Sequence, residues 1–143
     1  MNKQAVFDEF VKHAARAFFA SAWADQEEES GNAQGGEIMD RMPEEIDPAA
    51  IHAARTLAMD IERTNRRTIS DLMAFVENMG CGDRPATVEY FGHYCAMQAM
   101  GHGVGLNDAF GKIVYNEVRV PYVEFGGYSL ERDYFEQDTE DNQ

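Results

Sequence analysis

Potential chemistry in the chain is densest at Glu89, His93, His102, Asn107 and Asp108. A carboxylate and an imidazole four residues apart on a helix share one side of it, and together could offer an oxygen and a nitrogen to one metal ion. His102 and Asp108 would complete four ligands if the glycine-rich stretch between them folded back. Glu89, His93, His102 and Asp108 are therefore the metal-site candidates, but the signal is thin. The chain holds no HExxH and no HxxxH, and Cys81 and Cys95 lack CxxC spacing. The plainer reading gives these residues structural roles: His93 pairs with Glu89, and His102 caps the last carbonyls of its helix.

Other chemistries find less support. Ser21, Ser30, Ser70 and Ser129 sit in no nucleophile-elbow context, and neither cysteine has a base recognisable beside it. The run Gly101-His102-Gly103-Val104-Gly105 follows a helix rather than a strand and has no GK[ST] lysine, so it is not read as a phosphate loop. Two cysteines without a framework read as reduced, buried thiols. No cofactor is expected.

The elements that must position these residues can be read from periodicity. Phe7, Phe10, Val11, Ala14, Phe18 and Ala22 recur at three- and four-residue spacing and predict a first helix from about Gln4 to Glu28. Trp23, one turn beyond Phe19, forms a second aromatic edge. Ser30 to Gly36 reads as a loop. Asp47-Pro48 starts a second helix reaching about Asn65, with Ile51, Ala54, Leu57, Ala58 and Ile61 as its stripe. Thr68 with Asp71 is a capped restart for a third helix, which carries Ile69, Leu72, Met73, Val76 and Met79 as its stripe and ends at Gly80. A fourth, about Pro85 to Met100, is the least amphipathic and is read as the central helix. From Ile113 onward, Val114, Val118, Val120, Tyr122 and Val123 favour extended structure, and Pro121 favours an edge. The fold class is thus mainly α: an irregular bundle of about four helices with a small extended or β-hairpin C-terminal element.

The 143 residues fit a single domain, residues 1 to 143, and 44% hydrophobic residues suffice for one core. Against this stands a formal net charge of -14, from 26 acidic and 12 basic residues. Residues 25 to 47 carry nine acids against Arg41, and residues 124 to 143 carry seven against Arg132. These two segments account for the whole excess. The first is expected to be an acidic loop, and residues from about 136 to 143 a disordered acidic tail. Such a field disfavours direct nucleic-acid or anionic-membrane binding; the plain reading of the two segments is a solvated loop and tail that keep the chain soluble, and the sharper one a docking surface for a cationic partner. No apolar run approaches the ~20 residues of a spanning helix, and the N-terminus does not read as a signal core, so a cytoplasmic location is expected.

Phe18-Phe19-Ala20-Ser21-Ala22-Trp23, followed later by Gly101-His102-Gly103-Val104-Gly105-Leu106-Asn107-Asp108, resembles motifs of small uncharacterised acidic proteins of bacteriophages and mobile elements. Those proteins also tend to carry acids just after the tryptophan and a GHGxG turn after a helix. The likeness covers the two motifs and their order; the VRVPYVEF stretch is not part of it. It implies a setting in the host cytoplasm, with no activity to carry over.

The leading expectation is a non-enzymatic binding protein that engages a basic surface of a host protein, such as a defence or nucleic-acid-handling factor. Its contacts would come from Glu27, Glu28, Glu29, Glu44, Glu45 and Asp133, with Trp23, Tyr122 and Tyr128 as apolar anchors. The alternative is a small metal-dependent enzyme or ligand-binding protein built on His93, His102 and Asp108. A homodimer packed through methionine-rich helices is a third reading.

Overall fold

Five helices are present among the described residues. In a computed structural model, which describes residues 2–31, 41–80, 87–101 and 108–122, they are α1 (Lys3–Ser30), α2 (Pro48–Asn65), α3 (Ile69–Asn78), α4 (Val88–Ala99) and α5 (Asp108–Glu117). The protein is mainly α, and no strand occurs among the described residues.

The first four starts are each marked by a side chain that accepts from an otherwise orphaned amide. Asn2 accepts from the Ala5 N–H at 2.8 Å, and Asp47 from the Ala49 N–H at 2.8 Å with Pro48 in the first turn. Thr68 accepts from Asp71 at 3.1 Å, and Thr87 from Tyr90 at 3.2 Å. The second helix matches its expected bounds. The fourth begins at the Thr87 cap rather than near Pro85; residues 85 and 86 lie outside the described residues. The third ends at Asn78, so Met79, expected in its apolar stripe, is the cap and lies exposed, and Gly80 turns the chain at a φ of 80°.

The central helix is α1, not α4. It packs along both α2 and α4 and also touches α3. Its 28 residues supply Phe10, Ala14, Phe18 and Ala22 to the core, a longer apolar stripe than the 12-residue α4 can offer. α4 comes close to α1 because Gly92 lacks a side chain. A Cβ there would lie 2.9 Å from the Phe10 carbonyl oxygen and 3.1 Å from the His13 Cβ. Beside this contact the Phe10 and Phe91 rings pack with centroids 5.5 Å apart.

The expectation of extended structure from Ile113 is corrected. Residues 108–117 are helical, because Phe110, Val114 and Val118 recur every four residues and bury one face, and this spacing outweighs the strand preference of valine. Tyr94 holds α5 to α4, donating its hydroxyl to the Gly111 carbonyl at 3.1 Å and meeting Phe110 edge-on at 5.7 Å. Of the described residues from Ile113 on, only 118–122 depart from helix. The hairpin and disordered tail expected further on fall outside the described residues, as does Cys81. Cys95 is a buried free thiol, as expected, and burial drives its pKa far above the ordinary value.

Candidate functional site

On one side α1 and α4, which approach closely at Gly92, border a cleft of about 640 Å³. His13, Arg16, Ala17 and Ala20 form the α1 wall. Their three- and four-residue spacing makes a single stripe beside the core stripe. The α4 wall is Thr87, Glu89, Tyr90 and His93, and Met42 closes one side. The expectation that Glu89 and His93 share a side of one helix is met, and that side faces the cleft.

Charge in the cleft is unevenly engaged. His13 Nε2 lies 3.4 Å from the Glu9 carboxylate, one turn back on α1. Arg16 and Glu89 form no ion pair with each other or with any other described residue. Although His93 meets solvent, atoms packed around its ring push its pKa below the ordinary 6.5, and the Glu89 carboxylate opposes this more weakly. The imidazole is therefore mostly neutral at pH 7.

Among the described residues, no three His, Cys, Asp or Glu side chains gather closely enough to hold a metal ion. Of the four metal candidates, Glu89 and His93 come together; His102 and the Asp108 side chain lie outside the described residues. His13 and Arg16 escaped notice in the sequence because they interrupt a helix read only for its apolar stripe. Their spacing from Ala17 and Ala20 was the available signal.

A second region gathers the acidic residues. The stretch from residue 25 is not wholly loop: Asp25, Glu27 and Glu28 lie on the last turns of α1, which closes on Gly31 at a φ of 68°. Arg41 donates to the Glu27 carboxylate at 3.1 Å, so residues 41–47 return to the same end of α1. Met42 and Ile46 then pack against the core, and Asp47 caps α2. Glu28, Glu44 and Glu45 are exposed. Glu27, expected to face a partner, is largely covered and engaged with Arg41. Trp23 is half-buried and packs edge-on against Phe19, with centroids 6.3 Å apart.

Of the other anchors expected from the sequence, Tyr122 is 69% exposed at the end of the described chain. Tyr128, Asp133 and the Glu29 side chain lie outside the described residues. Two arginines at and just beyond the end of α2 are engaged locally. Arg63 reaches Asp60 at 2.7 Å, and the Arg67 guanidinium sits 5.7 Å from the Phe75 ring centroid.

No described helix is long and apolar enough to cross a membrane. Neither protein-family models, nor curated proteins, nor solved structures match the chain.

Proposed function

We propose that the protein is a non-enzymatic binding protein whose acidic face, formed by the end of α1 and residues 44 and 45, engages a basic surface of another protein. The observation that carries this reading is the Arg41–Glu27 contact. It ties the segment bearing Glu44 and Glu45 to the helix bearing Glu28, and four extended residues span at most about 14 Å. Three exposed carboxylates are thereby kept in one neighbourhood instead of being spread along a free loop. Such a face raises encounter rates with cationic partners and rejects anionic ones.

Affinity needs apolar contact as well, and the half-buried Trp23 on the same stretch of α1 is the residue to supply it. The resemblance to phage and mobile-element proteins makes a host defence or nucleic-acid-handling factor, with its basic channel, the partner of choice. Capture from extracts of the natural host, compared between the wild-type chain and a Glu28→Gln, Glu44→Gln, Glu45→Gln variant, tests the reading. A partner retained by the wild type and lost by the folded variant supports it. Equal retention by both removes the acidic face from the account.

A further inference from the structure

The cleft between α1 and α4 plays no part in that reading, and its chemistry points to a different class of ligand. Arg16 stands on one wall and Glu89 on the other; no salt bridge joins either to the other or to another described residue, and the Glu89 carboxylate acts on the neighbouring His93 ring. The rest of the lining is mixed: Ala17, Ala20, Met42 and Tyr90 offer apolar or aromatic surface, and His13, Thr87 and His93 add polar groups.

We propose that this cleft binds a small zwitterion with an apolar body, of amino-acid to dipeptide size, with the ligand carboxylate on Arg16 and its ammonium on Glu89. A guanidinium presents a planar fork of donors that matches a carboxylate, and a carboxylate accepts from an ammonium. The alanines, Met42 and the Tyr90 ring provide apolar surface for the ligand body. A zwitterion has no net charge, so the field of a chain at -14 does not oppose its entry. A dense polyanion such as a nucleotide would meet that field, and Glu89 as well, with a single permanent cation among the described lining residues to offset them. A simple cation would leave Arg16 facing it.

The probe is the dipeptide L-alanyl-L-phenylalanine, titrated into the full chain and followed by amide chemical shifts of Ala17, Ala20, Tyr90 and His93. Two derivatives each remove one charge: the N-acetyl form lacks the ammonium and the C-terminal amide lacks the carboxylate. The free dipeptide is expected to saturate with a dissociation constant on the order of 1 mM or below, and each derivative to bind at least about tenfold more weakly. Arg16→Gln should abolish the preference for the free acid over the amide, and Glu89→Gln the preference for the free amine over the acetyl form. Lys112→Gln, at an exposed position on α5 outside the cleft, should change neither. The proposal is overturned if the dipeptide shifts none of these amides at 20 mM (roughly twentyfold above that constant), or if either derivative binds as tightly as the parent. It also fails if the two cleft variants keep both preferences.

Discussion

The Arg41 guanidinium donates to the Glu27 carboxylate at 3.1 Å, across 14 positions of sequence, and so brings the segment leading into α2 back to the end of α1. The Glu27 side chain is 17% exposed and the Arg41 side chain 48%. With one partner this open to solvent, the pair stabilises the fold little, by about 0–1 kcal/mol. Its larger effect is on order. Arg41→Ala should leave thermal stability nearly unchanged while amide hydrogen exchange over residues 41–47 speeds up. Unchanged exchange there would show that Met42 and Ile46 hold the segment without the ion pair.

Gly92 sets the spacing of the two helices that border the cleft. An added Cβ would meet the backbone oxygen of Phe10 at 2.9 Å, and a backbone atom cannot swing aside as a flexible side-chain end could. Gly92→Ala should therefore destabilise the protein by about 1–3 kcal/mol despite the higher helix propensity of alanine, which alone would stabilise by up to about 1 kcal/mol. Urea denaturation measures the difference, and a stabilised variant would mean that α1 and α4 are free to separate.

Asn65 fastens the segment after α5. Its side-chain amide donates to the Arg119 carbonyl at 2.9 Å and accepts from the Arg119 N–H at 3.0 Å, while also donating to the Ile61 carbonyl at 2.8 Å. Loss of these partly exposed bonds in Asn65→Ala should cost about 1–2 kcal/mol. Exchange at the Arg119 amide should rise before global unfolding does. Both effects are read from hydrogen exchange in denaturant.

The His93 imidazole has its pKa lowered in the folded chain, chiefly by burial. The unfolded state thus takes up its proton at higher pH than the folded state. The contribution of this group is fully present above pH 6.5 and is lost as pH falls through the folded value. Histidine ring proton shifts should show a midpoint below 6.5, and Glu89→Gln should lower it further by removing the carboxylate that favours the charged ring. A midpoint above 6.5 would mean that the Glu89 carboxylate outweighs the atoms packed around the ring.

Much of this architecture is legible in the residues. Asp47-Pro48, Thr68 with Asp71, and the stripe from Phe10 to Ala22 encode local hydrogen bonds and a local period, and the helices they announce are present. α5 was obscured because Val114 and Val118 are strand formers taken singly, and only the tertiary contact of Phe110 with Tyr94 and Tyr90 shows why their four-residue spacing prevails. The cleft was half legible. Glu89 and His93 share a face by helix geometry alone, but the opposite wall depends on which turn of α1 lies against Gly92. That contact joins residues some eighty positions apart, and no local pattern carries it.

Binding of the captured partner as a function of salt tests the central claim most directly. If Glu28, Glu44 and Glu45 carry the interaction, affinity should fall steeply between about 50 and 500 mM salt, as the Debye length shortens from roughly 14 to 4 Å. The Glu28→Gln, Glu44→Gln, Glu45→Gln variant should show a much flatter dependence. Affinity that is the same at both ends of this range, in the wild-type chain, would contradict the account and leave the acidic residues with no part in binding.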